Sequence, residues 1–321
     1  MAGKLAVVLS GGGAKGAFQV GVLDQLITKR KVKVDIAVGT STGSIQALAV
    51  AQDDLPKLIK LWTDIKGSDD IYKKRGGTFL AVINGKPSLY DASPLRALLA
   101  KNVDETRLRG TGKSLRLGVV NLTTGEFQSV GENAHNIADF VYASCAMPFA
   151  FEPLTTKAAD GAIEQWVDGG VRDVTPIDTA LDFNPRGVLV IRASAPPRPT
   201  DPKRYKSLVS VGLRAVDILQ SEVSRNDLKN VNLINGFISA RNKQFDELAK
   251  LGITGEAARK VMHPLDTEMA RFRMTQVRVI EPTEDHYDTL EFDPPKIKAA
   301  IQRGRDALEA AWDSIEPIVV P

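Results

Sequence analysis

Two strand–turn–helix units stand in immediate succession at the start of the chain, and both turns are rich in glycine. The apolar run Leu5-Ala6-Val7-Val8-Leu9 leads into Ser10-Gly11-Gly12-Gly13-Ala14-Lys15-Gly16, and Val34–Val38 leads into Gly39-Thr40-Ser41-Thr42-Gly43. Short, continuous apolar runs read as strands buried on both faces. After the first turn Phe18, Val22 and Leu26 fall on one helical stripe, flanked by Leu23 and Ile27, and Ser44–Ala51 opens a second helix. Strand, helix, strand, helix in so short a space predicts an α/β fold with parallel strands joined by right-handed crossovers.

The first turn has two chemical readings. Gly11-Gly12-Gly13-Ala14-Lys15-Gly16 fits Gly-x-Gly-x-x-Gly, the dinucleotide fingerprint, in the expected setting. That fingerprint needs an acidic residue at the far end of the second strand to hold a ribose. Asp35 stands at the near end instead, and the P-loop spacing is not met around Lys15. The second turn has Gly-x-Ser-x-Gly, the nucleophile elbow, in which a serine is held on a sharp, strained strand-to-helix turn. Parallel strands bring both turns to one sheet edge, where open α/β folds bind ligands. The Gly12 and Gly13 amides, at a helix N-terminus, then suit a developing oxyanion beside Ser41. A dinucleotide- or phosphate-binding module remains the alternative from another class.

A serine nucleophile needs a base, and the chain has three histidines: His135 in a polar loop, His263 beside Pro264, and His286 in Glu284-Asp285-His286. None ends a strand next to glycine, and surface or capping roles suit all three better. Asp168 does end a strand, Ile163–Val167, and is followed by Gly169-Gly170. A carboxylate with a reference pKa near 3.9 is a poor base in water. It serves only in a dehydrated pocket that raises its basicity.

Further along, a helix over 53–66 and another from Pro94 flank a polar, glycine-rich segment, Gly67–Ser88, that reads as a surface flap. Leu115–Asn121 and Glu126–Val130 read as a hairpin around Thr123-Thr124-Gly125. A short helix, Ile137–Ala143, leads into Ser144-Cys145-Ala146-Met147-Pro148, and Val188–Arg192 is a further strand. Phe149 and Phe151 read as core side chains, and Cys145 as a small buried hydrophobe. The proline-rich stretch 193–206 is the clearest linker. Beyond it helices are expected around 208–223, 226–240, 243–251 and 256–262, then a strand Gln276–Ile280. A last helix starts behind Asp293 with Pro294-Pro295 in its first turn and runs to about Ile315.

Composition narrows the partners. The 42 basic residues nearly balance the 39 acidic ones, for a net charge of +3, which argues against nucleic acid and permits weak attraction to anionic membranes. Lys29-Arg30-Lys31 with Lys33 reads as a solvated helix end. A single cysteine excludes an internal disulfide and a cysteine-only metal cluster. No apolar run is long enough for a membrane span, and no signal-peptide pattern precedes the first strand. A cytoplasmic protein, with room for peripheral membrane contact, is the default expectation.

Taken in order, the glycine-rich turn, the elbow and the Asp168-Gly169-Gly170 turn resemble those of the patatin-like phospholipases. So do the block Ala143–Phe149 with Phe151-Glu152-Pro153 and the hairpin Asn121–Glu126. The resemblance covers roughly residues 4–195. It implies a three-layer α/β/α sandwich with a mostly parallel sheet and a Ser–Asp dyad that cleaves lipid acyl esters with no metal or cofactor. It makes Ser41 the nucleophile, Asp168 the base, and Gly11, Gly12 and Gly13 the oxyanion hole, with Lys15 at the family's basic position and Gly39 and Gly43 flanking the elbow. The expected substrate is a phospholipid or lysophospholipid, and the same acyl-enzyme would serve an acyltransferase. Asparagine often precedes the proline after the family's aspartate; this chain reads Val171-Arg172-Asp173-Val174-Thr175-Pro176 there. On this reading residues 1–195 form the catalytic core, and 196–321 form a linker and a mainly helical region packed on it. Oligomeric state is left open.

Overall fold

Leu5–Leu9 forms β1, with every residue buried, because helices cover both faces of the sheet to which it belongs. Leu5, Val7 and Leu9 enter one apolar cluster, while Ala6 and Val8 enter another with Ile177 and Ala180 of a helix on the opposite side. Period-two alternation along a strand thus separates the two faces and gives three layers. The computed structural model describes residues 3–75, 88–158, 160–196, 205, 208–269 and 275–320.

The chain continues from β1 through a tight turn at Gly13–Gly16 into α1 (Ala17–Leu23), which runs on as a wider coil to Lys29. Next come β2 (Ile36–Thr40), α2 (Thr42–Ala51) and α3 (Leu55–Asp64). A two-stranded ribbon pairs β3 (Lys73–Lys74) with β4 (Tyr90–Asp91). Then follow α4 (Ser93–Asn102), α5 (Glu105–Gly110), β5 (Ser114–Asn121) and β6 (Phe127–Gly131). After these lie α6 (Ile137–Cys145), β7 (Leu154–Lys157), β8 (Ile163–Asp168), α7 (Ile177–Leu181) and β9 (Gly187–Ile191). The C-terminal part supplies α8 (Leu208–Lys250), α9 (Gly255–Met269), β10 (Gln276–Ile280) and α10 (Pro294–Val319).

The eight-stranded sheet runs β10-β9-β1-β2-β5-β8-β7, with β6 paired to β5. From β10 to β5 all neighbours are parallel, while β6, β7 and β8 pair antiparallel. This is the expected mostly parallel sandwich with a mainly helical C-terminal region. β10 extends the sheet, and α10 crosses α1 on the larger apolar face.

Three expectations are revised. The helices expected at 208–223, 226–240 and 243–251 are one continuous α8. Polar residues between them resemble helix ends in sequence but are tolerated inside a helix at little cost in propensity. α9 passes through Pro264 to Met269 and does not stop at 262. The strand β7 and the short α7 were not anticipated. Most of the expected flap (76–87) and of the linker (197–204, 206–207) lies outside the described residues. Among those described, no helix is long and apolar enough to cross a membrane.

The α1–α10 crossing is held backbone to backbone. A Cβ on Gly21 would lie 1.9 Å from the Ile301 carbonyl oxygen, and one on Gly304 would lie 2.1 Å from that of Phe18. The Arg305 guanidinium adds a 2.8 Å ion pair to the buried Asp24. Gly21→Val is therefore expected to destabilise the protein by about 2 kcal/mol or more, the scale of overpacking a core. Urea unfolding measures this as a lower midpoint.

Candidate active site

The site starts from the way β5 is shared. β2 pairs with its first half, ending at Thr40 opposite Gly118, and β8 pairs with its last residues, ending at Asp168 opposite Val119. β6 spans both stretches, so it must hold the other edge. β2 and β8 therefore run toward each other along one edge of β5 and stop at adjacent positions. Ser41 leaves one strand end and Asp168 closes the other, 127 residues apart in sequence.

α6 fills the junction. The Ser144 hydroxyl donates to the Gly118 carbonyl at 2.7 Å and accepts from the Ser41 amide at 2.9 Å. Nearby, the Asp168 amide donates to the Ala146 carbonyl at 3.1 Å. One short helix end thus fixes the backbone of both residues. Cys145 is buried, as expected, and its thiol donates to the Ser41 carbonyl at 3.1 Å. Burial, with the Asp168 charge second, pushes that thiol well above the usual cysteine range, which makes it a poor nucleophile.

Ser41 has φ 56° and ψ −130°, a backbone conformation that costs a non-glycine residue about 1–3 kcal/mol. Its neighbours explain the elbow's glycines. A Cβ on Gly39 would sit 2.2 Å from the Gly43 carbonyl oxygen, and one on Gly43 would sit 2.1 Å from that of Leu9. The turn closes on itself and on the end of β1 at once.

The Ser41 hydroxyl lies close enough to the Asp168 carboxylate to act on its charge. Asp168 is 1% exposed, and burial drives its pKa from an ordinary 3.8 to about 7. The 2.7 Å bond from the Gly170 amide and the Ser41 hydroxyl act in the opposite direction but do not cancel it. All three histidines are described; each is exposed, and none lines the cavity at Ser41.

The structure separates the members of the glycine-rich turn. The Gly11 amide donates to the Val174 carbonyl at 3.1 Å, so it is already engaged. The Gly12 and Gly13 amides have no hydrogen-bond partner among the described residues, and both glycines line the cavity with Ser41. The Lys15 ammonium, on a largely buried side chain, is 2.7 Å from Asp285. The Ala14 amide donates to the Thr289 carbonyl at 2.8 Å, and the Tyr287 hydroxyl donates to the Ala14 carbonyl at 3.2 Å. Behind the turn, Gln19 donates to the Ser10 and Ile191 carbonyls, while Gln46 of α2 donates to the Gly16 carbonyl and the Gln19 side chain. Buried glutamines on two early helices are a visible signal for such a network; the partners near residue 289 leave none.

From Ser41 opens a cavity of about 140 Å³ with mainly hydrocarbon walls. Phe151 lines it and packs against Tyr72 and Tyr90. Phe149, expected in the core, is instead 64% exposed, because its positive φ of 67° turns it outward. Gln220 of α8 and Thr289, Leu290 and Phe292 also reach the cavity, so the C-terminal region builds part of its wall. Among the described residues, no group of three or more His, Cys, Asp or Glu side chains is arranged to hold a metal ion.

A half-buried serine beside a buried aspartate, two amides without partners among the described residues and an apolar cavity together suit acyl-ester chemistry. A family model described as patatin-like phospholipase matches residues 7–181, more than half of the chain. The chain belongs to that family, one of lipid hydrolases. YjjU of Escherichia coli (strain K12), described as an uncharacterized protein, is 25% identical over 194 residues. That match takes in 59% of this chain and 52% of YjjU, so the chain spans about half the length of this curated relative. The crystal structure of VipD from Legionella pneumophila is similar over 98% of this chain and 67% of VipD, at 18% identity and a TM-score of 0.46.

The raised pKa of Asp168 carries a stability consequence. An aspartate whose folded pKa lies above its unfolded value favours folding fully only below the unfolded pKa, near 4, and that contribution is lost as pH rises through about 7. Asp168→Asn is therefore expected to be more stable than the wild type at pH 8, with the difference shrinking toward pH 4. Chemical denaturation at the two pH values measures it.

Proposed function

We propose that this protein is a serine esterase that cleaves fatty acyl esters of phospholipids or lysophospholipids through a Ser41–Asp168 dyad. The observation that carries this reading is Ser41, on a strained elbow that lines an apolar cavity, beside a buried aspartate whose pKa it influences. Ser41 Oγ attacks the ester carbonyl carbon while its proton passes to the Asp168 carboxylate. Negative charge gathers on the carbonyl oxygen, where the unengaged Gly12 and Gly13 amides are the donors available. Gly11 and Lys15 then hold the turn in place and are not themselves donors, since each is engaged elsewhere.

The intermediate collapses as the carbon–oxygen bond to the alcohol breaks, and Asp168 returns its proton to the departing oxygen. Water then attacks the acyl-enzyme, Asp168 takes a proton from it, and that proton returns to Ser41 as the fatty acid leaves. A carboxylate near pKa 7 suits both directions of transfer, because acid–base catalysis works best near the operating pH.

Ser41→Ala should abolish both hydrolysis of 4-nitrophenyl esters and labelling by a fluorophosphonate probe. Labelling that persists in the variant overturns the assignment of the nucleophile.

The base is tested by pH. kcat/KM should rise about tenfold per pH unit below about 7 and level off above it, since only the ionised carboxylate accepts the Ser41 proton. Changing His135, His263 and His286 together should leave that limb in place and the plateau within about tenfold of wild type. Loss of the limb in the triple variant identifies a histidine base instead.

A further inference from the structure

The cavity follows one face of α2. Thr42, Ile45, Leu48, Ala49 and Gln52 all line it, and these positions fall on a single stripe of the helix. It therefore reaches from the nucleophile along the whole length of α2. From Thr42 to Gln52 the rise of 1.5 Å per residue gives about 15 Å. Opposite α2, the walls come from α3 and α4, where Leu58, Trp62, Leu95 and Leu99 are buried against the cavity.

At the far end the lining changes character. Gln52 is 3% exposed and held at both ends: its amide group donates to the Asn102 carbonyl at 3.3 Å, and its carbonyl accepts from the Asp104 amide at 2.8 Å. Asn102 itself lines the cavity and donates to the Leu98 carbonyl. Past Gln52 come Asp54 and Lys57, a charged pair 3.9 Å apart. The apolar lining that begins at the nucleophile thus gives way to polar and charged side chains near Gln52.

We propose that α2 is a ruler for a single acyl chain of about ten to twelve carbons, with Gln52 as the residue that sets the limit. Carbon–carbon bonds of about 1.5 Å at tetrahedral angles advance an extended chain by about 1.25 Å per carbon, so about 15 Å holds about twelve. Each methylene placed in the slot leaves water, a gain of about three- to fourfold in binding. A methylene pushed beyond it meets the Gln52 amide, already committed to Asn102 and Asp104, and then the Asp54–Lys57 pair. The gain stops there. The substrate class is a medium-chain acyl ester, and the inference rests on Ser41 as the point to which the acyl carbon is attached.

Two series test it. In the first, wild-type kcat/KM is measured on 4-nitrophenyl esters of four, eight, twelve and sixteen carbons. It should climb about three- to fourfold per methylene, break at ten to twelve carbons and gain nothing more at sixteen. In the second, octanoate, laurate and palmitate bind to Ser41→Ala, followed through the fluorescence of Trp62 in the cavity wall, with Trp62→Phe as the blank. The affinities should break at the same length. Ala49→Phe, which intrudes about 10 Å along α2, should move the break down to about eight carbons. Gln52→Leu should raise the sixteen- to twelve-carbon ratio at least fivefold. A climb that continues to sixteen carbons in the wild type overturns the ruler, as does a break that neither variant moves. Should Ser41→Ala hydrolyse the esters as fast as the wild type, the catalytic reading falls, and the fatty-acid binding series still decides the ruler.

Discussion

Everything at the candidate site depends on one edge of β5 being divided between two strands that approach from opposite directions. Parallel β2 stops at Gly118 and antiparallel β8 stops at Val119, so two chain ends face each other with no residue of β5 between them. An ordinary ladder would carry one strand past this point and leave no place for a side chain to meet another in line. The cost of ending both strands is a Gly118 carbonyl without its ladder partner, and the Ser144 hydroxyl supplies that bond. Ser144 in turn holds the Ser41 amide, so filling the gap and orienting the elbow are one event.

The glycine-rich turn shows the same economy at longer range. A loop meant to present free amides cannot satisfy its own backbone, and it needs outside partners at every other position. Val174 takes the Gly11 amide, Thr289 the Ala14 amide, and Asp285 the Lys15 ammonium, while Gln19 and Gln46 tie the turn to β9 and α2. Two of these anchors come from beyond residue 280, outside the segment that matches the family model. The amides left over belong to Gly12 and Gly13, which face the cavity. In the proposed mechanism such preorganised donors act without reorganising as charge develops.

What the sequence makes legible follows from how local each feature is. β1, the elbow, the hairpin and the Asp293 cap are written in a few adjacent residues, and the structure has them within a residue or two; the Asp293 side chain accepts from the Lys296 amide as its position implies. Asp168 is legible because a strand end and two glycines accompany it. The role of Ser144 is not, since a serine in an apolar helix reads as filler until Gly118 is known to lack a partner. Nor is the role of Lys15, whose partner stands 270 residues away. The long α8 was misread for a related reason: polar residues at 224–226 and 241–242 resemble helix ends when the solvent face is unknown.

On the proposed reading, the dehydration that a Ser41–Asp168 dyad needs and the apolar slot that an acyl chain needs are the same physical condition. A carboxylate exposed to water stays near pKa 4 and accepts a proton poorly. Asp168, at the end of β8 between β5, the Ala146 carbonyl and the Gly170 amide, is buried, and that burial raises its pKa to about 7. That burial destabilises the folded protein above pH 7, yet the apolar core on the same face of the sheet offsets it. Histidine solves the problem of basicity through its intrinsic pKa and tolerates a wet site. Aspartate has to be made basic by its surroundings, and a site that held hydrocarbon, as proposed, would provide them.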